Sequence, residues 1–416
     1  MKRNYLFLSA FIVLFSVISC TESTEFIEEE NANIENKSDF LNSPTVTKAI
    51  QLVSDFSAKN QSLTKSSTQN ININKDNERI EVIDVDSTLY HFNITNKQGV
   101  LETENLKSLD NDSFTLYTVY FKQNKKKGFS IVSSDERLNQ VYAYTEDGNL
   151  SDTVYNKALA GILYNIPLIC QEQLIKYDET STKQITKSTS SNFYINVGPN
   201  IITQWHQGYP FNIYTPAGNG CSHCPAGCTA IALAQAIAAL NAPASRLNGR
   251  FDFEALTNAS FPSADYYNMA GDLAKYIGDL VGMNYSCDGS GAWAHDICNT
   301  FDTWRISYIF RNGNIDYGEL LNTTANGHYD VTAGFQKKGE KAGHTWVICG
   351  VRGYVKSEGG KYVAVDDSQM SYYCNWGWSG SSDGWYVYTN VEQPTNIDYP
   401  FIKDNEQLYI KGILGQ

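Results

Sequence analysis

Apolar and polar positions alternate along this chain in two different periods. From Thr229 to Leu240 it reads Thr-Ala-Ile-Ala-Leu-Ala-Gln-Ala-Ile-Ala-Ala-Leu, with no glycine, proline or charge, which predicts a helix from intrinsic propensity alone. Thr345-Trp-Val-Ile-Cys-Gly-Val351 is apolar and rich in β-branched residues, the pattern of a buried strand. Tyr117–Tyr120 leads through a polar Lys-Lys-Lys-Gly turn at Lys125–Gly128 into Phe129–Val132, a predicted hairpin. Val141–Tyr144 and Trp385–Tyr388 read as further strands. Asp272–Leu280 reads as an amphipathic helix, and Gly289-Ser290-Gly291-Ala292 opens another from Trp293 to about Phe301. Gly359-Gly360, within Ser357–Lys361, marks the turn of an added hairpin. Internal repeats are not apparent.

This pattern places a thiol where chemistry favours it. Cys228 follows Pro225-Ala226-Gly227 and stands on the first turn of the predicted helix. Unpaired N–H groups and the helix dipole there favour the thiolate, the form that attacks carbonyl carbon. The alternative is a small buried apolar residue. A general base must come from six histidines, and His344 stands out because it opens the predicted buried strand, on a rigid element that can face a cleft. Asn375, in Asn375-Trp-Gly-Trp-Ser-Gly380, has a side-chain carbonyl that can accept an imidazole N–H and fix its tautomer. The amide of Gln207, 21 residues before Cys228, can join the Cys228 N–H as a second oxyanion donor.

Four blocks together resemble the streptopain family of secreted, papain-like cysteine peptidases. They are Gln207 with Pro210-Phe211-Asn212, then Gly227-Cys228-Thr229-Ala230 with Ala234-Gln235, then Gly343-His344-Thr345-Trp346-Val347, and last Asn375-Trp376-Gly377-Trp378 with Gly380 and Asp383-Gly384. The resemblance implies an α+β fold, a papain-like domain with a helical part carrying the Cys228 helix and an antiparallel sheet or barrel part carrying the His344 strand. It implies Cys228 as nucleophile, His344 as base and acid, Gln207 in the oxyanion hole and Trp376 beside the histidine. In the resembling family a glycine-serine loop of this kind borders the substrate cleft, which makes Ser290 and Gly291 candidate backbone contacts, with a turn that simply starts a helix as the alternative. Trp378 is a candidate substrate contact, although packing alone is the preferred reading of Trp378 and Trp385. Family members are described with a Cys-His dyad, so the orienting role of Asn375 rests on chemistry alone. This chain departs from the family at Cys349, where aspartate is common, and in Asn326–Asp330, which lacks an expected proline.

The resemblance extends upstream. Tyr117–Tyr120, Lys127–Arg137 and Val141–Tyr144 with Asp147-Gly148 are similar to the family's inhibitory propeptide, an α+β domain expected over residues 37–187, with the peptidase over 188–416. The hairpin around Phe129 and Arg137 is expected to cover the cleft. Lys183–Asn192 is Ser/Thr-rich and suited to cutting.

Length and composition agree with this division. The 416 residues are 42% apolar and 13% aromatic, enough for real cores. A net charge of −13 argues against a nucleic-acid partner. Lys2-Arg3 precedes an apolar stretch from Tyr5 to Ile18 that ends Val17-Ile18-Ser19-Cys20. That reads as a signal peptide over 1–19 with a bacterial lipobox and lipidation at Cys20, or else as an ordinary secretory signal. The stretch is shorter than the ~20 residues of a membrane span, and the acidic 20–36 segment reads as a tether. The predicted place is therefore outside the cytoplasm, on the bacterial outer membrane.

The remaining cysteines are Cys170, Cys221, Cys224, Cys287, Cys298, Cys349 and Cys374. Cys221-Ser-His-Cys224 admits a zinc reading with Cys287 and Cys298, but the second spacing is too wide for a zinc knuckle. A disulfide from the Cys221/Cys224 loop to Cys287 or Cys298 is preferred, Cys170 and Cys349 are read as buried thiols, and no metal or cofactor is expected. Two other functions fit the same residues: a surface-tethered, peptidase-like adhesin or binding protein, and a thiol acyltransferase or amidase.

Overall fold

The computed structural model describes residues 39–64, 79–93, 111–138, 140–181, 192–240, 251–258, 263–340, 343–389, 400–402 and 406–413. The predicted signal peptide, Cys20, the tether and nearly all of the expected cutting stretch lie outside these residues. The chain divides into a unit Met1–Thr47 and a unit Lys48–Gln416. In the first, Ser43 accepts the Val46 N–H on its hydroxyl and the Thr47 N–H on its carbonyl, which starts helix α1 (Pro44–Thr64), a helix whose residues from Lys48 onward belong to the second unit.

After the helix, the second unit continues with four antiparallel strands, β1 (Glu81–Asn93), β2 (Asn111–Gln123), β3 (Lys126–Val132) and β4 (Val141–Thr145). The predicted hairpin is present, but its turn is Asn124-Lys125, with φ of 50° and 68°. Two successive left-handed residues match the twist of a tight hairpin. Lys126–Gly128 therefore belongs to the return strand, and Gly128 is needed because a Cβ there would lie 2.0 Å from Thr145 O. Helix α2 (Lys157–Ser181) follows. By length and composition its Lys157–Asp178 portion could cross a membrane, but it is mostly buried and its Leu159, Ile162, Ile166 and Ile169 fill a protein core.

The remaining elements are β5 (Phe193–Val197), α3 (Cys228–Ala239), α4 (Phe253–Asn258), α5 (Ala264–Leu280), α6 (Cys298–Trp304), β6 (Ile306–Asn312), α7 (Tyr317–Ala325), β7 (Tyr329–Gly334), β8 (Gln336–Lys337), β9 (His344–Glu358), β10 (Lys361–Ala364), β11 (Ser371–Asn375), β12 (Gly384–Val387), β13 (Phe401–Ile402) and β14 (Glu406–Ile413). One antiparallel sheet runs β1-β2-β3-β4-β12-β11-β9-β7-β14-β6, with β5 and β10 also on β9. The fold is α+β, as predicted. The added hairpin is β9–β10, turning at Gly359 and Gly360, both at positive φ.

Strand β9 shows why its sequence is apolar without alternation. Trp346 and Ile348 enter one core, shared with Phe129, Tyr142, Ile162 and Trp376, while Val347 and Cys349 enter a second core with helix α3. Both faces of the strand are covered. The join of β4 to β12, with Gly384 opposite Thr145 and Tyr386 opposite Ala143, gives the N-terminal strands and the C-terminal half one sheet and one core. The expected boundary at Lys187 falls outside the described residues.

Candidate active site

Helix α3 is buried on every side from Thr229 to Ala238, which makes it a central core helix rather than an amphipathic one. It packs between β9 and α5. Its start is fixed by Gly227, at φ +94°, where a Cβ would also lie 2.6 Å from Met283 Sδ and 3.2 Å from Ser290 O. Glycine is required there both for backbone conformation and for space. No side chain caps the helix, so Cys228 begins a turn whose N–H groups remain free for an anion.

The half-buried Cys228 thiol meets His344 and Thr345 at the start of β9. Burial by itself pushes the thiol up. Hydrogen bonding to His344, the imidazole charge, and bonds from the Thr345 main chain and hydroxyl outweigh it and bring the thiol down from 9.0 to about 7. Thr345 Oγ1 also lies 3.0 Å from Thr229 Oγ1, which donates to Ala292 O at 2.7 Å.

His344 is buried, with Nε2 2.8 Å from the Trp376 carbonyl and 3.1 Å from Trp378 Nε1. A ring nitrogen that donates to a carbonyl cannot accept from an indole, so the two contacts belong to different tautomers. With its proton on Nε2, bonded to Trp376 O, the opposite nitrogen is free to exchange a proton with a thiol. The expected bond from Asn375 to the imidazole is not made. Asn375 Oδ1 accepts from Gln235 Nε2 and from the Gly377 N–H, both at 3.1 Å, and Nδ2 donates to Thr203 O at 2.9 Å. Strand pairing sets Asn375 opposite Val347, three residues along β9 from His344. The acceptor for the imidazole is thus a main-chain carbonyl one residue away.

That carbonyl is held firmly. Trp376 is fully buried, its indole N–H bonds Ser382 O at 2.7 Å, and its main-chain N–H bonds Asp383 Oδ1 at 2.8 Å. Desolvation raises the Asp383 carboxyl to about 7 against the opposing bond from Trp376. Trp378 lies against the histidine, ring centroids 5.9 Å apart, so the residue expected at the substrate also lines the imidazole.

Gln207 is brought to the same place. Its carbonyl accepts the Ala226 N–H at 2.8 Å, and its neighbour His206 bridges Trp378. Among the described residues its side-chain amide has no protein hydrogen bond, which leaves it available as a donor. Ser290 sits beside Gly227, whereas the Gly291 N–H and C=O are both spent on Asn284. The expected backbone contact from Gly291 therefore requires that bridge to open. His206 accepts the Gly208 N–H on Nδ1 and His328 packs near Gly412, and neither enters the interactions of the Cys228 thiol. Thr229, Gln235, Thr345 and Asp383 stand in the sequence blocks without a role of their own. Only their three-dimensional partners give them one.

The N-terminal half is hydrogen-bonded to this site through residues 145–152, while Phe129 shares a core with Trp376. Arg137 is spent on Asp112, Asp135 and Ser113 O, and Phe129 is a core residue of β3. Thr145 Oγ1 instead donates to Asp383 O at 2.8 Å, the Ser382 N–H donates to Asp147 O at 2.6 Å, and Asp152 Oδ2 accepts from the hydroxyls of Ser381 and Ser382. The loop that carries Trp376 is gripped from upstream. Of the expected disulfides, Cys221–Cys287 is formed, and Cys298 is a free thiol near Tyr308.

Fold and site together define a cysteine peptidase. Residues 205–386 match the model described as the Peptidase C10 family. Among solved structures, a cysteine-to-alanine mutant fragment of Prevotella intermedia prointerpain A is similar at TM-score 0.44 and 19% identity, over 70% of this chain and 94% of that one. Active wild-type interpain A cysteine protease of the same organism is similar at TM-score 0.38 and 22% identity, over 51% and 94%. No curated protein matches the chain.

Proposed function

We propose that the chain is made as an extracytoplasmic, lipid-anchored zymogen of a cysteine endopeptidase, with Cys228 as nucleophile and His344 as base and acid. The observation that carries this reading is the contact of Cys228, on a free helix N-terminus, with His344, at a thiol pKa of about 7. The thiolate attacks the peptide carbonyl carbon, and the oxyanion is met by the Cys228 N–H and the Gln207 amide. The protonated imidazole gives its proton to the departing amine. It then takes a proton from water, which attacks the thioester and expels Cys228 as thiolate. Throughout, Trp376 O holds the Nε2 proton and so keeps the opposite nitrogen at the reacting atoms.

Residues 37–187 act as the propeptide and 188–416 as the enzyme. Support comes from the bonds of Thr145, Asp147 and Asp152 to the Ser381–Asp383 loop, which ties the precursor's N-terminal half to the segment that sets His344. The anchor is the lipidated Cys20 predicted by the leader, and the substrates are proteins and peptides. The test is digestion of casein and a peptide library by precursor and by a 190–416 fragment, with and without a thiol-directed inactivator. Thiol-sensitive cleavage that rises sharply on removal of the N-terminal half is expected. A precursor as fast as the fragment refutes the inhibitory role, and cleavage indifferent to the inactivator refutes the peptidase mechanism.

A further inference from the structure

A second thiol cluster lies upstream of the catalytic helix. Cys224 is a buried free thiol whose Sγ is 3.8 Å from Cys221 Sγ, and Cys221 is already bonded to Cys287. The three sulfurs all lie within 4.8 Å of one another. They share one cradle: a Cβ at Gly218 would lie 2.5 Å from Cys287 Sγ, 3.0 Å from Cys224 Sγ and 3.3 Å from Cys221 Sγ. Main-chain bonds keep Cys221 and Cys224 opposed whatever Cys287 does. The Gly218 N–H donates to Cys221 O at 3.1 Å, the Cys224 N–H donates to Pro216 O at 2.9 Å, and Thr215 Oγ1 donates to Cys224 O at 2.5 Å. Cys287 comes from a different segment, a turn whose Asp288 and Gly289 are exposed.

From this arrangement we infer that Cys221, Cys224 and Cys287 form a thiol–disulfide exchange site that tethers and releases the Met283–Gly291 segment. Cys224, as thiolate, attacks Cys221 Sγ. The Cys221–Cys287 bond breaks, a Cys221–Cys224 bond forms, and Cys287 leaves as thiolate. The proton lost by Cys224 to solvent is regained by Cys287, so the exchange is an isomerisation that needs no external oxidant or reductant. The Cys-x-x-Cys spacing of Cys221 and Cys224 suits the new bond.

The released segment borders the cleft. Met283 Sδ and Ser290 O pack on Gly227, the residue before Cys228, and Ala292 O accepts from Thr229, the residue after it. In the tethered isomer these contacts are covalently secured, and in the exchanged isomer only hydrogen bonds and packing hold them. This consequence for the cleft rests on the peptidase reading, whereas the exchange does not.

The test uses the full chain carrying Cys228→Ala, so that neither turnover nor the active-site thiol enters the result. It is equilibrated in a mixture of reduced and oxidised glutathione, quenched in acid, alkylated and mapped by mass spectrometry without reduction. An internal Cys221–Cys224 bridge with alkylated Cys287 is expected in at least about a tenth of molecules, alongside Cys221–Cys287. Cys221–Cys287 as the sole linkage, with Cys224 alkylated only after denaturation, overturns the proposal. Cys287→Ser, in the same background, fixes the released state, and hydrogen exchange over 283–291 is expected to quicken at least about tenfold. Unchanged exchange in that segment overturns the tether even if the bonds rearrange.

Discussion

Helix α3, which carries Cys228, and the Trp376–Asp383 loop, which faces His344, are built from opposite materials. The helix is held by apolar burial on every side, with Gln235 its only polar side chain in the buried stretch beyond Thr229. The loop is held by hydrogen bonds, against a backbone that places Gly377, Ser379, Gly380 and Ser382 at positive φ, a region that non-glycine residues seldom enter. A thiol on an apolar helix can be altered with little consequence for the fold. The imidazole depends on a carbonyl whose position is the sum of several polar contacts, so changes there should affect stability and rate together.

The largest expected effect breaks the helix side without touching its scaffold. Cys228→Ala should lower kcat/KM by at least ~10³ with an unchanged melting transition, and His344→Ala should be as severe. His206→Ala and His328→Ala should stay within about tenfold of wild type. A dead His328→Ala enzyme would show that the wrong histidine has been placed at the thiol. Next comes Gln207→Ala, expected to lower kcat by ~10²–10³ with little change in KM, because its donor is needed most in the transition state. A raised KM at constant kcat would make Gln207 a substrate-binding residue instead.

Asn375→Ala sharpens the comparison on the loop side. It leaves the Gln235 amide and the Gly377 N–H without an acceptor in a buried place, a loss of about 1–3 kcal/mol, so the melting temperature should fall together with activity. Reduced activity at an unchanged melting temperature would restore the imidazole-orienting role that the geometry gives to Trp376 O. The smallest effect belongs to Thr345→Val. Loss of the hydroxyl removes a bond that favours the thiolate, so the Cys228 pKa rises and the acid limb of kcat/KM, expected near the thiol's value of about 7 in wild type, moves to higher pH. At about pH 6 the variant should be roughly two- to fivefold slower, converging with wild type once both thiols are ionised. An unmoved limb would limit Thr345 to packing.

Much of this was legible in the chain. Thr229–Leu240 and Thr345–Val351 declared a helix and a strand, because runs of Ala, Leu and Ile or of Trp, Val and Ile leave few alternatives. Cys228 and His344 stood at their ends, where residues can leave a core and face a cleft. Helix α2 and strand β1 were not placed: Pro167 interrupts the helical pattern of the first, and acids and a histidine punctuate the second. The sequence puts the turn at Lys125–Gly128 and the structure at Asn124-Lys125, because the charged run masks the asparagine that tolerates a left-handed backbone.

The sequence by itself determined the local elements, the thiol at a helix N-terminus, the histidine at the mouth of a strand and the order of the four blocks. These depend on neighbours within a few residues, where propensity, capping and spacing act directly. Only the tertiary structure decided that Trp376 O and not Asn375 faces the imidazole, that Gly291 is engaged with Asn284, that residues 145–152 grip the 381–383 loop, and that Cys221 bonds Cys287 within reach of Cys224. Each is a choice among partners of similar chemistry far apart in the chain. Which partner wins is set by strand register and the packing of distant elements, and neither is written into any short stretch of residues.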